Sequence, residues 1–130
     1  MILVDTSVWV DLLGPKPRFV VPVEKMPLLA ICPPIVQEIM QGVSHAKART
    51  QIYQGLMSLS MYGNPMALEL YLDAADIFSR GRQKGLTIRS STDCLIAAVA
   101  RAFELTVWHR DRDFDHIARF TDIQTLKDLR

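Results

Sequence analysis

Cysteine is scarce in this chain: there are two, Cys32 and Cys94, each among apolar neighbours. So few and so isolated, they exclude a disulfide framework and read as buried free thiols in a reducing cytoplasm. Excess charge is missing too. With 15 basic against 14 acidic residues the formal net charge is +1, so bulk electrostatic coating of nucleic acid is excluded and any polyanion must be met by local patches. No apolar run approaches the length that spans a bilayer. No basic stretch precedes the first apolar run, and Asp5 and Asp11 follow it, which argues against a secretion signal. The two cysteines and three histidines have no zinc-like spacing, and no repeat or low-complexity segment is visible.

Apolar residues, by contrast, are plentiful. They make up 49% of the 130 residues, with a mean hydropathy of +0.13. A chain of this length forms one domain, residues 1–130, with a substantial core. The apolar excess points to surface covered by a partner, so an oligomer or a complex is expected.

The pattern is organised around Met1-Ile2-Leu3-Val4-Asp5. A short, wholly apolar run reads as a strand buried on both faces, as in a parallel sheet. Its terminal carboxylate then faces the crevice where open α/β sheets bind ligands. Thr6 to Leu13 has helical spacing, with Thr6 or Ser7 as its cap, and Gly14-Pro15 ends it. Pro15, Pro17, Pro22 and Pro27 mark Gly14 to Pro27 as irregular. Leu28 to Cys32 is a second strand, and Pro33-Pro34 opens a helix to Gly42. Ser44 caps a helix to about Leu59 with Ile52, Tyr53, Leu56 and Met57 inward. Asn64-Pro65 starts another to about Lys84, burying Tyr71, Ala74, Ala75 and Phe78. Ser90-Ser91-Thr92 caps a helix to about Phe103 with Ile96, Val99, Ala100 and Phe103 buried. Thr106 to His109 is a strand, a short helix carries Ile117 and Ala118, and a last strand lies near Ile123. Strands alternating with helices imply an α/β fold, a parallel sheet between helical layers.

Acids recur at special places in this pattern. Asp5 and Asp111 end strands, Glu38 sits half-desolvated on the border of an apolar helix face, and Asp93 points inward from a first turn. Each has an ordinary structural explanation: a capping box of Ser90 with Asp93, Asp113 as cap of the short helix, solvated faces for Asp11 and Asp115, an ion pair of Glu38 with Arg49 or Arg89. Those explanations do not account for the four together. Neighbouring carboxylates repel and raise one another's pKa values unless a cation lies among them, and oxygen-only ligation suits Mg²⁺ or Mn²⁺. Such an ion grips a phosphodiester and acidifies water, with Arg80, Arg82, Lys84, Arg89, Arg110 and Arg112 as candidates for neighbouring phosphates. His109 reads either as a base or as a polar strand-end residue.

Four segments together resemble the PIN-domain ribonucleases, in particular the toxins of VapBC-type toxin–antitoxin pairs. They are Ile2-Leu3-Val4-Asp5-Thr6-Ser7-Val8-Trp9, Pro34-Ile35-Val36-Gln37-Glu38-Ile39, Thr92-Asp93-Cys94-Leu95-Ile96-Ala97-Ala98 and His109-Arg110-Asp111-Arg112-Asp113-Phe114. The resemblance implies an α/β/α sandwich with a mainly parallel sheet. It implies Asp5, Glu38, Asp93 and Asp111 as catalytic metal ligands for Mg²⁺ (or Mn²⁺), Asp113 as a further or outer ligand, and Thr6 as a hydroxyl beside them. The implied activity is endonucleolytic RNA cleavage by a metal-activated water; among the basic residues already named near the acids, Arg89, Arg110 and Arg112 are the candidates for contact with that RNA. The implied partners are a second copy of the chain in a homodimer and an antitoxin lying in an apolar groove. One departure is that relatives carry an additional helix where this chain has Gly14 to Pro27. The competing expectation is a PIN-fold module that has lost catalysis and binds RNA or protein. A phosphotransfer domain using Asp5 fits less well, because no Asp-x-Asp follows the first strand.

Overall fold

The protein is described by a computed structural model covering residues 1–129. Five strands form one sheet in the order β3-β2-β1-β4-β5, with every neighbouring pair parallel. They are β1 (Ile2–Val4), β2 (Leu29–Ile31), β3 (Ser60–Met61), β4 (Thr106–Trp108) and β5 (Gln124–Leu126). Leu3, Val4, Ala30, Ile31, Val107 and Trp108 are all buried, so the central strands are apolar on both faces because both faces are covered. The edge strands β3 and β5 have no fully buried residue.

The helices are α1 (Thr6–Leu12), α2 (Pro33–Gln41), α3 (Ala46–Met57), α4 (Leu68–Gln83), α5 (Ser91–Phe103) and α6 (Arg112–Ala118). From β1 the chain steps to β2 and β3, then returns past β1 to β4 and β5. Right-handed crossovers therefore put α1 to α3 on one face and α4 to α6 on the other, an α/β/α sandwich. In keeping with this, α2 packs on α1 and α3, and α5 packs on α4 and α6. The strand order reverses between β1 and β4. The region beyond those strand ends is the usual ligand position in this architecture. No helix among the described residues is long and apolar enough to cross a membrane.

Several local expectations are corrected. Gly14 to Pro27 is not wholly irregular, since Val23–Leu28 forms a 3-10 helix. Asp11 does not lie on a solvated face: its carboxylate accepts the Arg18 and Phe19 backbone N–H groups and pairs with the Arg18 guanidinium at 3.1 Å, closing the loop that follows α1. On α3, Leu56 is buried whereas Tyr53 is 51% and Met57 41% exposed. Helix α4 starts at Leu68 rather than at Asn64-Pro65. It buries Leu70, Ala74, Ile77 and Gly81, while Tyr71 is 49% exposed, Ala75 is exposed and Phe78 half-buried. Its apolar residues wrap too far round the helix for one sheet to cover, and the sheet took the neighbouring stripe. Phe103, at the end of α5, is also exposed and packs on the Tyr62 ring.

Candidate metal centre

Asp5 leaves β1 at the switch point, where its backbone N–H donates to Trp108 O at 2.9 Å and prolongs the β1–β4 pairing by one residue. Its side chain, rather than that of Thr6 or Ser7, caps α1: Oδ2 accepts the Ser7 N–H at 3.0 Å and the Ser7 hydroxyl at 2.5 Å. The other oxygen, Oδ1, is buried and has no hydrogen-bond partner among the described residues. Burial raises the Asp5 pKa, the Ser7 and Thr6 hydrogen bonds oppose that, and the charge of Asp111 adds to it.

Glu38 comes in from α2, half-buried as its border position requires. It pairs with neither expected arginine. The Thr6 hydroxyl donates to its Oε1 at 2.8 Å, while Arg49 closes the end of α2 by donating to the Met40 and Val43 carbonyls. Burial is the main cause of its raised pKa, with Thr6 opposing and Asp5 and Asp111 adding.

Asp93 stands in the first turn of α5, only 5% exposed. It forms no capping box, because Ser90 caps without a side-chain hydrogen bond. Its Oδ2 has no hydrogen-bond partner among the described residues. Its pKa is pushed up to about 9, first by burial, then by a hydrogen bond with Asp113 that only protonated Asp93 can donate, then by the charges of Asp5, Asp111 and Asp113.

Asp111 follows β4 and is the cap of α6, its Oδ1 accepting the Asp113 N–H at 2.9 Å. The cap expected at Asp113 is therefore two residues earlier, and Asp113 does something else. It is 1% exposed and accepts the backbone N–H groups of Arg89 and Ser90 at 3.1 and 3.0 Å, pinning the chain that enters α5. Carboxylate oxygens of Asp93, Asp111 and Asp113 lie within 4.8 Å of one another. Asp5 and Glu38 stand outside that tight group, yet both feel the charge of Asp111.

Such a group is unstable by itself, since several carboxylates share one low-dielectric hollow. Five buried side-chain polar atoms among the described residues lack partners, and Asp5 Oδ1 and Asp93 Oδ2 are the two that belong to carboxylates. Open lone pairs on crowded acids are what a bound cation satisfies, so the residues fit a metal ion. The donors are oxygen only, the set that suits a hard divalent cation.

Two residues outside the acids support the centre: Ser7, expected as a helix cap, and His109, expected as a base or a polar strand-end residue. Ser7 holds Asp5, and its Oγ also accepts the Arg110 N–H at 3.0 Å, tying α1 to the end of β4. His109 is fully buried against the Phe114 ring. Its Nδ1 accepts the Asp111 N–H at 3.2 Å, so the proton sits on Nε2, 3.7 Å from Asp115. Burial lowers its pKa, which makes it a neutral prop for Asp111 rather than an accessible base. The serine's position beside an acid and a cap, and the histidine's at a strand end, hint at these roles in the sequence.

The basic residues divide. Arg89 reaches Asp111 at 3.6 Å and Asp113 at 3.9 Å, and Arg110 stacks over Phe19 with 5.2 Å to the ring centroid. Arg80 is not at the rim: it donates to Phe120 O at 2.8 Å and pairs with Asp76. Arg82 lies over Phe78.

The PIN domain family profile matches residues 2–120. Ribonuclease VapC11 of Mycobacterium tuberculosis is 37% identical over 131 residues, which cover 95% of this chain and 96% of that protein. The structure is similar to FitAcB from Neisseria gonorrhoeae, with a TM-score of 0.70 and 22% identity over 98% of this chain and 97% of that one. It is also similar to a toxin–antitoxin complex from Klebsiella pneumoniae, with a TM-score of 0.71 and 15% identity over 99% and 100% of the two chains.

Proposed function

Since this chain belongs to the PIN-domain family and is related to VapC ribonucleases over nearly its full length, we propose that it is a metal-dependent endoribonuclease and the toxin of a toxin–antitoxin pair, the whole chain forming one domain. What carries this reading is the meeting of Asp93, Asp111 and Asp113 with Asp5 and Glu38 at the β1–β4 switch point, two of their oxygens lacking partners.

Asp5, Glu38, Asp93 and Asp111 would hold Mg²⁺ (or Mn²⁺), with Asp113 as an outer group that fixes the entry to α5. When bound, the ion supplies Lewis-acid polarisation of a phosphodiester and acidification of water. The chain's own contribution is position. Ser7 holds one Asp5 oxygen so that the other stays open, Thr6 aims Glu38, His109 holds the turn bearing Asp111, and Arg89 offsets part of the negative charge. Hydrolysis then breaks one P–O bond of RNA, water providing the new oxygen on phosphorus and the proton for the leaving oxygen.

The apolar surface fits two partners. Leu68 and Leu72 are exposed on α4, next to a hollow of about 480 Å³ lined by Tyr71, Phe78 and Leu95, and we assign this face to a second copy in a homodimer. A groove of about 330 Å³ lined by Trp9, Leu13, Met26, Ile52 and Leu56 suits an apolar segment of an antitoxin. RNA, dimer and antitoxin all belong to the cytoplasm.

The test is cleavage of RNA by purified protein with Mg²⁺ or Mn²⁺, with a chelator, and as Asp93→Asn. Cleavage confined to the metal-supplied wild type supports the proposal. Chelator-resistant cleavage, or full activity of the variant, removes it.

A further inference from the structure

Beside the acids lies a cleft that they do not use. It has a volume of about 430 Å³ between the 85–89 loop and α6, and Thr87, Arg89, Arg112, Asp113 and His116 line it. We propose that this cleft is a phosphate subsite in which Arg112 and Arg89 hold an RNA backbone phosphate next to the one lying on the acids. The inference rests on the nuclease reading and adds where the strand is gripped.

Charge in the cleft favours an anion. It has two guanidinium groups against one carboxylate, and that carboxylate, on Asp113, is buried and already engaged by two backbone N–H groups. Arg112 is exposed and makes no ion pair or side-chain hydrogen bond among the described residues. Arg89 is 60% exposed and held to Asp111 and Asp113 only at 3.6 and 3.9 Å, distances too long for charge-assisted hydrogen bonds. Turning onto a phosphate therefore gives it closer contacts than it gives up.

The walls are preformed. A carbonyl only accepts, so the 3.0 Å contact of His116 with Thr87 O means that Nδ1–H donates and braces α6 to the loop. The Leu86 N–H donates to Gly81 O at 2.9 Å and fixes the other end of the loop. Asp113 belongs to both the cleft and the acid group, so a strand lying on the acids brings a neighbouring phosphate to Arg112. Arg110, stacked on Phe19, lines no part of this cleft.

The experiment measures fluorescence anisotropy of a short labelled single-stranded RNA, with Mg²⁺ present and Asp93→Asn as the parent so that the RNA survives. Arg112→Ala should bind several-fold more weakly and flatten the log–log salt dependence by about 0.7, one phosphate contact on a single strand. Arg112→Lys should keep the slope, since the charge is retained. Arg119→Ala, an exposed arginine just beyond the same helix, should leave affinity and slope unchanged. Arg112→Ala binding like the parent, or Arg119→Ala weakening binding as much, overturns the subsite. Cleavage by otherwise wild-type protein is read separately. RNA that is cut while Arg112→Ala binds unchanged ends the subsite and leaves the nuclease standing. RNA held through Arg112 and never cut does the reverse.

Discussion

The Thr6 hydroxyl donates to Glu38 Oε1 at 2.8 Å, joining α1 to α2 across 32 residues of chain. This bond keeps the Glu38 carboxylate aimed at the centre and opposes the rise in its pKa that burial causes. Thr6→Val preserves shape and deletes the donor. By analogy with other orienting partners of metal ligands, it should lower divalent-ion affinity or activity by roughly 10–100-fold. Titrating cleavage against Mg²⁺ measures this, and a wild-type curve would show that the hydroxyl is only a helix contact.

Crowding of the acids predicts that removing a charge stabilises the metal-free protein. Asp93→Asn keeps the hydrogen bond to Asp113 and has no proton to manage, so the gain should be on the order of 1–2 kcal/mol, a rise in Tm of several degrees. Mg²⁺ should raise the Tm of the wild type and not that of the variant. Asp5→Asn should behave alike in activity, with cleavage lost and fold retained. Melting curves with ion and with chelator decide the stability and the ion effect, and an RNA cleavage assay decides the activity.

The pH dependence of the metal-free protein follows from the same groups. Asp5, Glu38 and Asp93 all have folded pKa values above their ordinary ones, Asp93 reaching about 9. The folded state thus binds more protons than the unfolded chain, so stability is greatest at low pH and is lost as pH rises through the folded values. His109 shifts downward and acts below its ordinary range, about pH 6.5. Burial pushes the Cys32 and Cys94 thiols up to about 12, which matters only as unfolded thiols ionise near about 8.5. Between about pH 7 and 8 the Tm in chelator should therefore fall, and saturating Mg²⁺ should remove the fall. A Tm that rises over that interval without metal would contradict the crowded-acid account.

Gly81 tests the loop that carries Arg89. A Cβ there would lie 2.6 Å from Ile88 Cδ1 and 3.4 Å from the Phe120 ring, and Ile88 is buried immediately before Arg89. Because the near atom ends a flexible side chain, Gly81→Ala should cost about 1 kcal/mol, at the low end for overpacking. Thermal denaturation gives the value. An unchanged Tm would mean that the loop yields freely and braces nothing.

Both strands that flank the switch point are legible in the sequence, because an apolar run closed by an acid has few alternatives in a sheet covered on both sides. The border position of Glu38 and the inward Asp93 follow likewise from helical periodicity. Periodicity fails where apolar residues exceed one face. Tyr53, Met57 and Tyr71 read as core and are exposed, because the pattern does not distinguish surface meant for the sheet from surface left for other contacts.

What the sequence determined alone is thus the alternating α/β order and the local positions of Asp5 and Asp111 at strand ends and of Glu38 and Asp93 on inward helix faces. Tertiary structure decided the rest: that Asp111 rather than Asp113 caps α6, that Asp113 holds the Arg89–Ser90 backbone, that Ser7 and His109 support the acids, and that Arg89 and Arg112 share a cleft. The division has a physical cause. Hydrophobic periodicity and capping act over a few residues and are written locally, whereas the partner of a buried hydrogen bond is chosen by which strand ends meet, between residues as far apart as Ser7 and Arg110.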